Sequence, residues 1–195
     1  PESTIMPDVG EIYPLKKSKI SASDYHYFSA GLRSTRNYIK KEIPQETLDL
    51  LLENMKHYAS ASNARPLKIT IVRSPEKIQL LNDLTLDAII KPLKIIVSPW
   101  LRPFVKLFAP KMNISKLTEY KNSFTERRKT DNSIVCHNAP VVMLFHGRIA
   151  KYGMLEADAN IWAANTTNHA KTLGLGSCFI GFIVKAAERS KALRR

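Results

Sequence analysis

Apolar residues recur at helical spacing in the stretch IPQETLDLLLENMKHYA, residues 43–59. Five of them fall at i, i+3, i+4, i+7 and i+11: Leu48, Leu51, Leu52, Met55 and Ala59. Because an α-helix repeats every 3.6 residues, these positions share one face. The pattern therefore predicts an amphipathic helix over 43–59 with a single buried stripe.

Three other runs have the pattern of β-strands. In PLKITIVR, residues 66–73, apolar and polar positions alternate almost throughout, which is typical of a half-buried strand. APVVMLFH, residues 139–146, is a short apolar run between Pro140 and Gly147, which predicts a buried strand. SCFIGFIV, residues 177–184, predicts another buried strand or a strand-like turn.

Four further stretches predict helices: 23–32, 74–89, 154–177 and 185–195. Ser23 and Ser74 are the expected N-caps of the first two, and Gly174 is expected just past the end of the third. Residues 1–22 show no clear period and predict an extended lead-in. The alternation of helices and strands predicts an α+β or α/β layered domain.

Residues 84–130 differ from the rest, with ten Lys and Arg against three Asp and Glu. We expect four prolines to break this segment into short pieces: Pro92, Pro99, Pro103 and Pro110. No apolar run reaches the roughly 18 residues of a membrane span. Two interpretations stay open, a helical excursion covering a pocket and a basic amphipathic surface element.

The composition limits the classes of partner and site. The net charge of +13 favours anionic partners, although no nucleic-acid-binding motif is present and only 8% of residues are aromatic. The two cysteines form no CxxC pair, so the sequence predicts no metal site and no disulfide framework, which fits the reducing cytoplasm. Neither GxGxxG nor a P-loop motif occurs.

Three short runs carry candidate chemistry. GLRSTRNY holds Arg33, Ser34 and Arg36, whose guanidinium and hydroxyl groups suit a phosphate. YASASNARP, residues 58–66, offers small side chains and hydrogen-bonding groups for a flat ligand. GLGSCFIG, residues 174–181, has three glycines in eight residues, which indicates left-handed conformations or a close backbone approach. Taken singly, each run also fits an ordinary surface turn, loop or helix cap.

In this order and spacing, the runs resemble the nitroreductase family of flavoproteins. That family has an Arg-Arg-Ser-x-Arg motif, a Ser-Ala-x-Asn-x-Gln-Pro loop, an Ala-Pro strand and a long helix ending in Gly-Leu-Gly. The chain offers LRSTR, SASNARP, APVVMLF and AKTLGLGSCFIG between residues 31 and 195. The resemblance implies an α+β fold with a central mixed, mostly antiparallel sheet flanked by helices. It also implies FMN as cofactor and a homodimer with its flavin sites at the subunit interface.

The resemblance assigns roles to nine residues of this chain. Arg33, Ser34 and Arg36 would hold the ribityl phosphate and the pyrimidine edge of the flavin. The loop that meets the isoalloxazine ring, in such dimers often from the partner subunit, would contribute four residues: Ser60, Ala61, Asn63 and Arg65. Ile180 and Gly181 would form the turn whose backbone N–H approaches N5. No side chain is expected to act as acid or base, because the flavin carries the chemistry.

The chain departs from the family pattern in two positions of these motifs. Leu32 stands where an Arg is common, and Arg65 replaces the usual Gln and adds a cation near the ring. The family usually continues beyond the equivalent of Arg195, so the sequence predicts that the C-terminal part is absent. The lead-in resembles the connector of members with an N-terminal ferredoxin domain. We therefore expect a linker over 1–27 and an FMN-binding domain over 28–195, with the excursion at 84–130.

The sequence thus predicts an FMN-dependent oxidoreductase. Electrons would pass from NAD(P)H or a ferredoxin-like donor to an electron-poor acceptor such as a nitroaromatic or a quinone. The expected partners are the donor, the small acceptor and a second copy of the chain, without nucleic acid and without a membrane span. The alternative is a non-catalytic protein that binds a flavin or nucleotide, or one that uses its basic surface for binding.

Overall fold

The computed structural model describes residues 19–131, 133–148 and 154–194. Its helices are α1 (Ala22–Ala30), α2 (Gln45–Met55), α3 (Pro75–Ile96), α4 (Arg102–Phe108), α5 (Ile114–Thr130), α6 (Leu155–Thr172) and α7 (Gly181–Arg189). The strands are β1 (Leu67–Val72) and β2 (Val142–Gly147), and short 3₁₀ turns lie at Ala61–Asn63 and Ala192–Arg194. The two strands pair in one sheet. The predicted α+β class is confirmed, while most of the predicted lead-in lies outside the described residues.

The first compact unit contains Lys41–Thr70, Met143–Phe179 and the chain up to Arg36. In it, α2 packs against α6. The predicted stripe of α2 is present but narrower, since its fully buried members are Leu48, Leu51 and Met55. At the centre of this contact, the rings of Tyr58 and Trp162 meet edge to face with their centroids 5.9 Å apart. This aromatic pair joins the end of α2 to α6 and fixes where the chain leaves α2.

The second unit contains Asn37–Lys40, Ile71–Val142 and Ile180–Arg195. Its centre is α3, against which α5 and α7 pack. The buried face of α3 includes Leu86 and Asn82, and the Oδ1 atom of Asn82 accepts a hydrogen bond from Val135 N at 2.9 Å. Cys136, beside Val135, is fully buried, and this burial raises the pKa of its thiol to about 11. The thiol therefore stays protonated at neutral pH and is a poor nucleophile.

Three predicted boundaries were wrong. The N-cap of α1 is Ser21 rather than Ser23, because the Ser21 hydroxyl accepts from Asp24 N while the Asp24 carboxylate accepts from Ser21 N. This reciprocal pair is a capping box. Pro92 does not break α3, which continues to Ile96. Ile90 before it and Val97 at the C-cap after it are buried, and this packing offsets the hydrogen bond that proline cannot make.

The third correction concerns the apolar run at 177–184. Its second half is not a strand, because α7 begins at Gly181. Residues 185–189, which were predicted to begin the last helix, are instead the end of α7. Ile183 and Ala186, three residues apart, are buried. A short apolar run has no period that separates a buried strand from one turn of buried helix. The packing of α7 on α3 therefore decided the conformation.

None of the helices in the described ranges combines the length and the apolar character that crossing a membrane would require.

An ion-pair cluster attaches α5 to α3 within the second unit. Arg128 Nη1 lies 2.6 Å from Asp87 Oδ1, and its Nη2 lies 3.4 Å from Asp83 Oδ1. The hydrogen bond from Arg128, followed by that from Lys91, lowers the pKa of Asp87. The groups are between a third and a half exposed, so solvent screens the attraction.

Replacing Arg128 by methionine should therefore lower the free energy of unfolding at pH 7 by about 0.5–1 kcal/mol. The Asp87 pKa is lower in the folded chain than in the unfolded chain, so this stabilisation is complete above its ordinary value near 3.8. It is lost as the pH falls through the lowered pKa. Urea unfolding at pH 7 and near pH 2 measures both limits. The control Lys129→Met removes only an exposed contact with Glu126, and an Arg128→Met deficit that persists near pH 2 would contradict the assignment.

Candidate functional site

Helix α6 holds the run at residues 58–66 in place through two hydrogen bonds. Asp158 Oδ1 accepts from Ala61 N at 2.8 Å, and Trp162 Nε1 donates to the carbonyl oxygen of Ala59 at 2.9 Å. Asp158 and Trp162 are four residues apart and therefore lie on the same face of the helix. The backbone at 59–61 is thus fixed by one face of α6.

The same run has an unusual backbone. Ser62 and Asn63 have φ of 52°, and Arg65 has φ of 44°. These are left-handed conformations that non-glycine residues adopt rarely, at a cost on the order of 1 kcal/mol or more each. Ser60 Oγ accepts from Arg65 N at 3.0 Å, which closes the loop. Strain of this kind persists only where surrounding contacts impose it, and it is common at ligand sites.

Arg65 points back toward α2. Its Nη2 donates to the carbonyl oxygen of Lys56, at the end of α2, at 3.2 Å. One part of the guanidinium therefore caps a helix end, where a cation also complements the helix dipole. A guanidinium has five N–H donors, so this contact leaves donors for a second partner.

Asp158 was not singled out by the sequence. It is only 1% exposed, and its Oδ2 has no hydrogen-bond partner in the described structure. A buried carboxylate oxygen without a donor is costly. In the sequence it is one of two acidic residues in the first turn of a helix, with Glu156, where acids are common. Only the fold shows that it is buried and supports the loop.

The run at 31–38 is held by the segment that follows α6. Ser34 forms a parallel β-bridge with Ser177, and Thr35 N donates to the carbonyl oxygen of Ser177 at 2.9 Å. A side chain on Gly176 would place its Cβ 2.6 Å from Thr35 Oγ1. Gly176 is therefore needed for this close approach, which is one of the two roles predicted for glycine in the third run. The first run and the beginning of the third lie side by side.

Cationic groups gather around the first run. Arg33 Nη1 donates to the carbonyl oxygens of Ala30 and Leu32, at 2.8 and 2.6 Å, so it also caps α1. Lys171, at the end of α6, donates from Nζ to the carbonyl oxygen of Phe28 at 2.8 Å. The same Nζ lies 2.6 Å from where a Cβ on Gly31 would be. Lys171 therefore adds a cation beside the run in which Leu32 replaces an Arg.

The remaining candidates occupy different places. Ser34 and Arg36 are exposed in the first unit. Ile180 and Gly181, in the second unit, form the N-terminus of α7, where Ile180 provides no side-chain cap. A Cβ on Gly181 would meet nothing within 4 Å, so packing does not require glycine there. The first N–H groups of a helix lack intrahelical partners and are available as donors.

Within the first unit, α6 thus holds the second run and, through Lys171, the end of α1 directly before the first run. Asp158, which bonds the second run, and Lys171, which bonds Phe28 just before the first run, are about 20 Å apart at 1.5 Å per residue. The arrangement gives a cationic end, suited to an anion, and a strained loop of small residues at the other end. The chain is thus of the layered α+β class, with polar loops at both ends of α6.

A comparison with known protein families identifies the family within that class to which the chain belongs. The nitroreductase family matches residues 30–194, and the chain belongs to the nitroreductase family. This confirms the predicted family and places the chain in a family of oxidoreductases, as predicted. No curated protein sequence matches the chain significantly.

Solved structures share the fold. An FMN-dependent nitroreductase from Clostridium difficile is 21% identical with a TM-score of 0.53, over 80% of this chain and 59% of that protein. A nitroreductase with bound FMN from Bacteroides fragilis is 18% identical with a TM-score of 0.59, over 86% and 78%. An FMN- and NADPH-dependent nitroreductase mutant from Sphigopyxis sp. is 19% identical with a TM-score of 0.53, over 88% and 82%. The chain thus spans less than two thirds of the C. difficile protein.

Proposed function

We propose that the chain binds FMN and passes electrons from a reduced donor to an electron-poor acceptor of the nitroaromatic or quinone type. The observation that carries this proposal is that α6 holds the strained loop at one end and places Lys171 beside the cationic run at the other. The family and the FMN-dependent proteins that share the fold agree with it.

The residues present fit the two ends of such a cofactor. A phosphate needs cationic donors, and Arg33 keeps free N–H groups beyond its two contacts from Nη1. Ser34, Arg36 and Lys171 would complete this end with a hydroxyl and two further charges. At the other end, Ser60, Ala61 and Asn63 would meet the flat ring, because left-handed turns expose backbone groups beside small side chains.

When bound, FMN would supply the electron-accepting and electron-donating chemistry through its isoalloxazine ring. The chain's own residues would bind the FMN and orient its ring. Ile180 and Gly181 would contribute a backbone N–H at the start of α7 as a donor to the ring, and Arg65 would place a cation near it. Asp158 would keep the loop in its left-handed form. No side-chain acid or base is required in this scheme.

We further propose that residues 28–195 form the FMN-binding domain and that it acts as a homodimer in the cytoplasm. NAD(P)H is a suitable donor, since the Sphigopyxis protein of similar fold is NADPH-dependent. A ferredoxin-like donor is the other candidate. In a dimer, the second run of one copy and the first run of its partner would hold the same FMN. This would agree with the separate positions of the two runs near opposite ends of α6.

The second candidate function is flavin or nucleotide binding without turnover. It uses the same residues, and the charge of +13 would favour any phosphate-bearing ligand. The visible spectrum separates the two. Flavin absorption that bleaches with NADPH under anaerobic conditions and returns with a quinone supports the enzyme. Bound flavin that neither NADPH nor reduced ferredoxin bleaches supports the binding protein, and failure to take up added FMN contradicts both.

Arg36→Ala tests the phosphate end. We expect the Kd for FMN to rise roughly 10- to 100-fold, because a charge-assisted hydrogen bond contributes about 1.5–3 kcal/mol. Riboflavin lacks the phosphate, so its Kd should not change if Arg36 binds that group. Lys41→Ala, which removes an exposed cation outside the run, is the matched control. Equal losses for FMN and riboflavin would move Arg36 to the pyrimidine edge, and no loss for either would remove it from the site.

A further inference from the structure

Large apolar side chains are exposed around α4. Trp100 is 71% exposed, Phe104 58%, Leu107 72% and Phe108 79%. No residue of α4 is buried. We call residues 94–112 the α4 surface. Exposed apolar side chains gathered in this way mark an interaction site rather than ordinary surface, and none of the proposed flavin-binding residues lies among them.

The α4 surface is amphipathic. Phe104, Leu107 and Phe108 are at i, i+3 and i+4 and therefore share one face of α4. Arg102 and Lys106 are four residues apart and share the opposite face, since Lys106 is about 200° from Phe104 at 100° per residue. Both basic residues are exposed. The roughly two turns of α4 thus carry apolar groups on one face and cationic groups on the other.

The charge around α4 has a single sign. Between Asp87 and Glu119 the chain has no acidic residue, and it has six basic ones: Lys91, Lys94, Arg102, Lys106, Lys111 and Lys116. Five of these six are lysines. Protein–protein interfaces are poor in lysine, whereas interfacial membrane helices combine Lys and Arg with Trp, Phe and Leu. The composition therefore favours a lipid surface over a protein partner.

A second copy of the chain is a poor occupant by the same reasoning. Two α4 surfaces facing each other would bring only basic charges together. The α4 surface offers no carboxylate with which a facing basic residue could pair. An anionic bilayer supplies both negative charge for the lysines and an apolar layer for Phe104, Leu107 and Phe108. Trp100 suits the boundary between them, where tryptophan is enriched.

We propose that the α4 surface docks the protein peripherally on an anionic lipid membrane. Phe104, Leu107 and Phe108 enter the boundary between headgroups and acyl chains, with Trp100 at the headgroup level. The flanking lysines and Arg102 contact the anionic headgroups. Because the attraction is electrostatic as well as apolar, docking requires anionic lipid and weakens with salt.

Vesicle co-sedimentation of the full chain tests this proposal. The probes are vesicles of phosphatidylcholine alone and of phosphatidylcholine mixed with phosphatidylglycerol. We expect sedimentation with the mixed vesicles at low salt, little with the neutral vesicles, and release at high salt. Tryptophan fluorescence should shift to the blue on binding, and Trp100→Phe should remove most of that shift because Trp162 is buried in the protein already.

Two pairs of variants identify the surface. Arg102→Gln with Lys106→Gln should lower the vesicle partition coefficient by about 30-fold, since each basic residue near an anionic surface contributes about fivefold. Phe104→Ser with Leu107→Ser should lower it by more than about 30-fold through lost apolar burial. The matched controls are Lys40→Gln with Lys77→Gln, and Leu50→Ser with Leu80→Ser, all exposed elsewhere.

The outcomes are distinct. Loss of binding in the α4 variants and not in the controls supports the proposal. Equal losses in both would show nonspecific attraction to a basic protein and would overturn it, as would no binding to anionic vesicles. Light scattering completes the test: if Phe104→Ser with Leu107→Ser dissociates an oligomer while vesicle binding is unchanged, the surface is an interface between copies instead. Flavin binding should be the same in every α4 variant.

Discussion

Gly147→Ala is expected to lower the free energy of unfolding by about 3 kcal/mol, at the upper end of what overpacking costs. A Cβ at this position would overlap the carbonyl oxygen of Pro66 and would lie 2.8 Å from Leu155 Cδ1. The first neighbour is backbone and cannot rotate away. Since Pro66 ends the run at 58–66, its displacement should also weaken FMN binding. Urea unfolding and FMN titration measure the two effects.

The control for this prediction is Gly181→Ala. A Cβ at Gly181 would meet nothing within 4 Å, so this change should leave stability equal or slightly higher, because alanine favours helix over glycine by about 1 kcal/mol. Adding Leu155→Ala to Gly147→Ala removes the side-chain contact and leaves the Pro66 overlap. If that double variant regains wild-type stability, the side chain and not the backbone of Pro66 limits the site, and the argument is wrong.

Asp158→Ala is expected to lower the free energy of unfolding by about 2–3 kcal/mol, since it leaves the N–H of Ala61 without its acceptor in a part-buried site. The left-handed residues Ser62 and Asn63 would then relax, because the contact that helps to impose their conformation is gone. The Kd for FMN should rise at least about tenfold if the loop meets the ring.

Asp158→Asn distinguishes the acceptor from the charge. The carboxamide oxygen can still accept from Ala61 N, and the orphaned Oδ2 is replaced by an amide group. We therefore expect Asn to retain most of the stability that Ala loses, as measured by urea unfolding. Glu156→Ala, in the same first turn but exposed, is the matched control. A loss in Glu156→Ala as large as in Asp158→Ala would show that helix-dipole charge, and not the Ala61 contact, is responsible.

Helix and strand types were largely readable from the sequence. The stripe of α2, the alternation in β1 and the N-cap at Ser74 each contain a local signal, and the structure has those elements. The residues at which helices begin and end were harder to predict. Ser21 and Ser23 are equally good caps by residue type, and only the reciprocal contact with Asp24 chooses between them. The strand prediction for 177–184 was wrong because apolar residues alone do not reveal whether the surface they meet is a helix or a sheet.

Part of the candidate site could likewise be predicted from the sequence, and part could not. The runs at 31–38, 58–66 and 174–181 could be found because small, cationic and glycine residues at fixed spacing resemble a family motif. The residues that hold these runs in place could not be found from the sequence. Asp158, Trp162 and Lys171 are ordinary residues of a long helix in the sequence. Their contacts, with the second run and with Phe28 just before the first run, span 97, 103 and 143 positions along the chain. No local pattern records a contact over such a separation.

By itself the sequence determined the family, the α+β class and the residue types available for holding an anion and a flat ring, because these depend on local spacing and chemistry. Only the tertiary structure decided that α6 holds the second run and places Lys171 beside the first, that Gly147 and Gly176 are needed for close approach, and that the apolar side chains of α4 are exposed. Those facts depend on which distant surfaces meet, and burial is a property of the packed chain rather than of any residue in it.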